Sequence, residues 1–492
     1  MRNYDASDPM SIFSFSGSLL GHTLAEIIPY VDDSVSIESL NQDGKGGLGV
    51  LVEKHFFGYE PNSDPRPDFP EAGVELKVSP LKKSSKGEYK IKERLVCDMI
   101  DYCALVEENF EDSRFFRKSM LMLIIFYLHV SGCPKRDLQF LYSVLWRIKD
   151  KDLLIIKEDF RIIQEKVRQG LAHELSEGDT MYLGACRKGQ KGQAQRKQPN
   201  SPVLANARAF SFKPAYMRTI LDFVRNSGNA MASNLNEDEM PGIELVSAAD
   251  LINDSFETVL RKRFAPYIGM DYVQISKSLG VEINPSEKSK YATIARRILH
   301  HGLVSENSAE ELRKSGIKIK TIRLQKNGTV KEHMSFEGIN YKEVLETDDW
   351  IDSKWYEIIT TRYMFVVFRE VEDDNWTDEP RYVLDKMFFW TMPASDYSLA
   401  EEYWNNIKAN VLADTLLNSD GGERANTFWS LRDNRFFHVR PKARNADDVT
   451  YSPISNTPVP KKAYWFDNRY LRKKLINAYG PDWDKLFNHR SI

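Results

Sequence analysis

The chain repeats itself, and this limits its fold more than any single motif does. Gly73-Val74-Glu75-Leu76-Lys77 returns as Gly316-Ile317-Lys318-Ile319-Lys320. Val52-Glu53-Lys54-His55-Phe56-Phe57-Gly58 lines up with Arg296-Arg297-Ile298-Leu299-His300-His301-Gly302, and Leu121 to Phe126 with Tyr363 to Phe368. After an insertion of roughly ten residues, Ala209-Phe210-Ser211-Phe212 with Tyr216, Arg218 and Leu221 returns as Ala463-Tyr464-Trp465-Phe466 with Tyr470, Arg472 and Leu475. A nearly constant offset reads as two copies of one domain, residues 1–228 and 245–492. Residues 229–244, rich in Asn and Ser and containing Pro241, read as the linker between them. A chain of 492 residues can bury both cores. Each copy mixes strand and helix patterns, an α/β fold class.

Within the first copy, Val74, Leu76 and Val78 alternate with Glu75, Lys77 and Ser79. That period of two predicts a strand with Glu75 and Lys77 on one face. Asp68 falls at the end of the preceding strand or turn. Two carboxylates can hold a hard cation such as Mg2+ through oxygen, and a neighbouring Lys can orient water and stabilise charge on a phosphate. A strand with a charged outer face is the alternative. Val50 to Gly58 has helical spacing and puts Glu53 on a helix, as a third carboxylate for the site or a surface acid. Thr23 is placed to cap a helix before it. Lys45 lies in the loop Gly44-Lys45-Gly46-Gly47, in reach of a phosphate or simply solvated. Met120 to Leu128 reads as a buried strand, 153–170 as an amphipathic helix, and Leu81 to Lys92 as a polar hairpin or loop.

The formal net charge is -3, so any nucleic-acid surface must come from local basic clusters. Arg187 to Lys197 is such a cluster: Arg187, Lys188, Lys191, Arg196 and Lys197, with Gly and Gln between and no acid. Charges there suit phosphates, and Arg and Gln suit base edges. The second copy has another, Val439-Arg440-Pro441-Lys442-Ala443-Arg444, after a strand at the matching place. The four cysteines form no CxxC pair, which speaks against a zinc ribbon or a disulfide framework and fits a reducing cytoplasm. No signal pattern or membrane-length apolar run is present. The acids differ between the copies. Asp68 maps to Glu311, Glu75 to Lys318 and Glu53 to Arg297, whereas Lys77 is kept as Lys320. A site with those cations repels a divalent metal, so the second copy is expected to bind without cutting.

Taken together, Gly49-Val50-Leu51-Val52-Glu53, then Asp68, then Gly73-Val74-Glu75-Leu76-Lys77 resembles the MutH family of PD-(D/E)XK endonucleases. Leu20-Gly21-His22-Thr23-Leu24-Ala25-Glu26 is similar to that family's first helix. Stretches such as Lys92-Glu93-Arg94-Leu95-Val96 and Ala172-His173-Glu174-Leu175-Ser176-Glu177-Gly178 resemble its restriction-enzyme branch, the Sau-type enzymes that cut at GATC and carry two MutH-like halves. The resemblance implies that Asp68, Glu75 and Glu53 bind Mg2+, that Lys77 positions the attacking water, and that Lys118 is a further active-site lysine. Lys45 would approach DNA, Arg187 or Lys188 would read bases, and Arg440 would read DNA at an effector site. His173 and Glu174 stay structural. The implied activity is a type II restriction endonuclease that cuts GATC 5′ of the G, with the C-terminal copy binding a second site on double-stranded DNA. The expected protein is a cytoplasmic monomer that pairs on DNA and works beside a cognate DNA methyltransferase. A mismatch-repair nickase and a non-cutting DNA-binding regulator are the competing readings. The duplication argues against the first, and the intact Asp68, Glu75 and Lys77 against the second.

Overall fold

The computed structural model describes residues 3–32, 47–61, 64–84, 87–189, 194–235, 244–302, 309–372, 380–417, 426–433 and 435–487. The chain divides into two compact units. One is Met1–Phe256 with Glu306–Gly316, and the other is Glu257–Ser305 with Ile317–Ile492.

The described residues of the first unit form ten strands: β1 (Glu75–Lys83), β2 (Tyr89–Ile91), β3 (Leu95–Met99), β4 (Leu121–Leu128), β5 (Phe140–Arg147), β6 (Leu183–Arg187), β7 (Gln195–Gln198), β8 (Ser201–Asn206), β9 (Arg208–Phe212) and β10 (Met231–Ser233). The main sheet runs β10-β5-β4-β1-β2, with β1 parallel to β4 and β4 antiparallel to β5. A second sheet runs β3-β9-β6, antiparallel throughout. The run after Met120 is the strand expected from its composition. Residues 122 to 126 of β4 are fully buried, which requires apolar side chains on both faces. The expected amphipathic helix spans Asp150–Arg168, and the polar hairpin forms as β1 and β2. Thr23 caps the helix Leu24–Val31 in a reciprocal box with Glu26.

The second unit contains β11 (Lys318–Leu324), β12 (Met334–Gly338), β13 (Tyr363–Val371), β14 (Arg381–Trp390), β15 (Phe437–Pro441), β16 (Val449–Tyr451), β17 (Pro458–Pro460) and β18 (Lys462–Phe466). β11 is parallel to β13, and β13 is antiparallel to β14. β12-β18-β15 is antiparallel with β18 central. These pairing directions match those of β1, β4 and β5 and of β3, β9 and β6. The core here is aromatic: Trp355, Tyr363, Tyr403, Tyr464 and Phe466 are all at most 1% exposed.

Two boundaries differ from the sequence expectation. The stretch taken as a linker includes β10, which extends the main sheet against β5. Asn234 then clips the chain to the sheet: its side chain accepts from the Arg147 amide at 2.7 Å and donates to the Arg147 carbonyl at 2.9 Å. Asn and Ser favour loops by bonding to nearby backbone, and here the same capacity is used on a strand edge. Residues 236–243, including Pro241, lie outside the described residues. The helix Glu310–Ser315, counted with the second copy in the sequence, belongs to the first unit. Lys314 pairs with Asp152 at 2.8 Å, Glu311 with Lys151 at 2.7 Å, and Arg313 with Asp222 at 3.3 Å. Among the described residues, no helix is long and apolar enough to cross a membrane.

Candidate active site

β1 builds the site through its alternation. Val74 and Leu76 are buried in the core cluster with Phe56, Phe69 and Leu123. The intervening positions aim Glu75 and Lys77 away from that cluster, onto one face as the period of two requires. Asp68 is brought beside them by a tight turn. Phe69 and Val74 exchange both backbone hydrogen bonds, at 2.9 and 3.2 Å, and Gly73 closes the turn at φ 66°, where a side chain would be strained. The acids then brace one another's backbone. Asp68 Oδ2 accepts from the Leu76 amide at 2.9 Å, and Glu75 Oε2 accepts from the Asp68 amide at 3.2 Å.

Two lysines converge on the same carboxylate oxygen. Lys77 Nζ donates to Glu75 Oε1 at 2.7 Å, and Lys118 Nζ donates to it at 3.3 Å. Lys118 comes from the short helix Arg114–Ser119, whose first turn is fixed by Ser113 Oγ accepting from the Phe116 amide at 3.0 Å. Glu53 arrives on a distorted helix. The α-helical turn Leu48–Leu51 widens into a π-helix over Val52–Phe57, and the Gly58 amide bonds back to the Glu53 carbonyl at 2.9 Å. Such widening inserts a residue into the turn and re-aims its side chain, a feature common at functional sites.

The electrostatics tie Glu53 to the other acids. Burial pushes its carboxyl up to about 7, with Asp68 adding repulsion. Burial, then the charge of Glu75, pushes Asp68 up to about 6. Burial disfavours the charged form of Lys77, but the neighbouring Glu75 carboxylate outweighs it and holds Lys77 above its ordinary value. Three crowded carboxylates, of which Glu53 and Asp68 resist ionisation, fit a hard cation, which would relieve both the repulsion and the desolvation. Of the expected site residues, Glu53, Asp68, Glu75, Lys77 and Lys118 are therefore brought together.

Two residues at the site carried no motif. Tyr59, just past the π-helix, has a buried hydroxyl without a hydrogen-bond partner among the described residues, and burial plus the charges of Asp68, Glu53 and Glu75 push its pKa far above the ordinary phenol value. Asp98 on β3 is raised by burial, against the opposing charges of Arg114, Lys118 and Lys77. A Tyr after an amphipathic helix reads as core in any sequence. The alternation of β3 around Cys97 was the one available signal for Asp98.

The expected DNA-contact residues are spread more widely. Lys45 and Lys191 lie outside the described residues. Arg187 ends β6, and the Lys188 amide donates to the Ala207 carbonyl at 2.7 Å. In the second unit the Arg440 guanidinium lies over the Trp465 ring at 5.0 Å, and Lys442 Nζ donates to the Phe336 carbonyl at 2.6 Å. Strand register refines the correspondence between the two loops. Cys186 pairs with Ala209, and Arg440 pairs with Ala463. Arg440 thus stands where the first unit has Cys186, and Lys442 where it has Lys188. Arg187 is one residue out of step, on the opposite face of its strand.

A strand carrying Glu75 and Lys77, with Asp68 across the turn before it and Glu53 and Lys118 brought alongside, has the make-up of a metal-dependent nuclease. A family model described as DNA mismatch repair enzyme MutH matches residues 57–159. The type II restriction enzyme Sau3AI of Staphylococcus aureus is 31% identical over 479 residues, 89% of this chain and 94% of that protein. The DNA mismatch repair protein MutH of Shewanella woodyi is 28% identical over 216 residues, 43% of this chain and 89% of its own length. MutH of Vibrio vulnificus strain YJ016 is 25% identical over 226 residues, 45% of this chain and 94% of its own length. The chain belongs to the MutH and Sau3AI family of endonucleases, and it is a site-specific deoxyribonuclease.

Proposed function

We propose that the first unit cuts double-stranded DNA with Mg2+ held by Asp68, Glu75 and Glu53. The observation that carries this is the meeting of Lys77 and Lys118 on Glu75 Oε1, with Asp68 braced on the next amide. When bound, Mg2+ supplies positive charge to the phosphate oxygens and lowers the pKa of a bound water. Lys77 orients the attacking water, and Lys118 stabilises the negative charge that grows on the phosphate. Attack in line with the leaving oxygen gives 5′-phosphate and 3′-hydroxyl ends. GATC, cut 5′ of the G, is the site that the family resemblance points to, and Arg187, Lys188, Lys191 and Lys45 are its DNA-contact candidates.

The second unit is, in this reading, a degenerate copy that binds a second site and regulates the first. Its support is the shared pairing order together with the loss of acids. Lys318 occupies the Glu75 position and pairs with Glu337. Lys320, at the Lys77 position, donates to the Ser335 carbonyl at 2.8 Å. Burial, with Lys318 and Lys442 nearby, pushes Lys320 down to about 8, although Glu337 opposes this. Glu311, at the Asp68 position, is spent on Lys151. Arg440 and Lys442 are the effector-site candidates. One cutting site per chain requires two molecules on DNA, or two successive nicks, for a double-strand break. A cognate methyltransferase would protect host DNA.

The test is incubation of unmethylated plasmid with the protein and Mg2+, beside Asp68→Ala. Linear product from wild type and none from the variant is expected. A product that stays nicked would favour the repair nickase, which fits the partial MutH matches, and no Mg2+-dependent cutting at all would sink the assignment. Arg440→Ala should lower the preference for multi-site DNA, and an unchanged preference removes the effector reading.

A further inference from the structure

His438 on β15 is fully buried, and neither Nδ1 nor Nε2 has a hydrogen-bond partner among the described residues. A buried polar atom left unpaired costs about 1–3 kcal/mol, so this ring needs an explanation. His333, just before β12, meets it edge-on with ring centroids 5.0 Å apart. Asp467, 1% exposed, completes the group, with Oδ2 3.8 Å from His333 Nδ1. One donor atom from each of the three lies within 4.8 Å of the other two.

The fold itself does not call for these residues. Met334 pairs with Phe466 as Leu95 pairs with Phe212, and Phe437 pairs with Phe466 as Leu183 pairs with Phe212. Counted from those pairs, His333 falls at Arg94, His438 at Gly184 and Asp467 at Lys213. The first unit fills that corner with an Arg94–Glu177 ion pair at 2.8 Å and with Lys213 donating to the Thr180 carbonyl. The same sheet is thus built with neither an imidazole nor an acid at those three positions.

We propose that His333, His438 and Asp467 bind one divalent cation of the zinc class, with water completing its coordination. Two imidazoles and a carboxylate are a recurring zinc donor set with a position left open. A site offering a single carboxylate discriminates against Mg2+, which takes oxygen ligands and sheds water reluctantly. Bonds of about 2.0–2.2 Å put tetrahedral donors roughly 3.3–3.6 Å apart, so the widest spacing closes by about an ångström on binding. Two features limit the affinity. The Asn468 amide donates to His333 Nδ1 at 3.1 Å, and an ion on that nitrogen must displace it. That amide is in the first turn of the helix Asn468–Tyr479, where water can replace the lost partner. Arg469 holds Asp467 at 2.8 and 3.0 Å, and Arg440 adds further positive charge. The ion would therefore be held by directional nitrogen donors more than by local field. It would join the start of β12, β15 and the start of the 468–479 helix, two residues along the strand from Arg440.

The experiment uses the full chain carrying Asp68→Ala, with any purification tag removed and metal stripped by chelator. Co2+ is the probe, because a tetrahedral nitrogen and oxygen site gives it a strong visible absorption band. One equivalent should develop the band, Zn2+ should displace it and raise Tm, and a large excess of Mg2+ should do neither. His333 is about a quarter exposed, so His333→Ala in the same background should fold normally and weaken Co2+ binding at least about tenfold. His438→Gln is the second variant and should act the same way. No band in the parent, or a band unchanged in folded His333→Ala, would overturn the site and leave a polar pocket filled by water.

Discussion

Lys77 Nζ reaches back along its own strand to Glu75 Oε1 at 2.7 Å, closer than Lys118 at 3.3 Å. The shorter pair belongs to the lysine on the same rigid strand as the acid, so Lys77 is the better positioned of the two. Lys77→Ala should lower the cutting rate by about 10²–10³-fold while leaving DNA retention in Ca2+ nearly intact. Lys118→Ala should cost less. Lys77→Arg should not restore activity, because a planar fork does not occupy the point an ammonium does. Single-turnover cleavage measures all three; equal losses for Lys77→Ala and Lys118→Ala would remove the ranking, and a larger loss for Lys118→Ala would reverse it.

The crowding of Glu53 and Asp68 predicts a pH dependence. Their folded carboxyls sit at about 7 and about 6, above the ordinary 4.5 and 3.8. As pH falls from 8 to 6 both take up protons, which a cation must expel before it binds. The Mg2+ concentration for half-maximal cleavage should therefore rise steeply over that window. In chelator the sign for stability is the opposite of a salt-bridged acid. The folded chain holds protons that the unfolded chain has lost, so stability falls as pH rises from 3.8 to about 7. Glu53→Gln should stabilise the chain at pH 8 by about 1 kcal/mol once solvent screening is allowed for, and should abolish cutting. A melting temperature in chelator that is flat with pH would contradict this.

Tyr59 offers a cleaner probe, because its hydroxyl has no partner among the described residues. Tyr59→Phe removes a buried orphan and should raise stability in chelator by about 1 kcal/mol. The same hydroxyl lies close enough to the three carboxylates to feel their charge. If it bonds to a carboxylate or water once Mg2+ is present, Tyr59→Phe should also raise the Mg2+ requirement several-fold at unchanged maximal rate. A variant that lowers stability would show instead that the hydroxyl is already satisfied in solution.

How much of this was legible in the sequence follows from the range of each interaction. Asp68, Glu75 and Lys77 lie within ten residues, and one strand and one turn bring them together, so period and spacing sufficed. Lys118 and Glu53 needed the family resemblance, because their approach depends on a neighbouring parallel strand and on a π-helix that no propensity encodes. Tyr59 was invisible, since an aromatic after an amphipathic helix carries the same pattern whether it packs or faces carboxylates. Met231–Ser233 was hidden by its Asn, Ser and Gly surroundings, although Asn234 supplies the very bonds that hold it. The His333, His438 and Asp467 group comes from three distant segments. Only strand register brings it into view.

The helix Glu310–Ser315 illustrates the longest range, and it gives the sharpest stability prediction. Lys314 bonds both oxygens of Asp152, at 2.8 and 2.9 Å, and Asp152 also accepts from the Tyr216 hydroxyl at 3.0 Å. Asp152 is 3% exposed, so burial raises its carboxyl while Lys314 pulls it back down. Lys314→Ala leaves that acid buried without its cation and should cost about 3–5 kcal/mol. Adding Asp152→Asn should recover much of the loss, since an amide buried beside Tyr216 keeps a hydrogen-bond partner and carries no charge. Exposed Lys326→Ala, by comparison, should change stability by less than about 0.5 kcal/mol. Denaturant unfolding of the three variants makes the comparison. If Lys314→Ala proves as mild as Lys326→Ala, the helix does not dock on the first unit in solution.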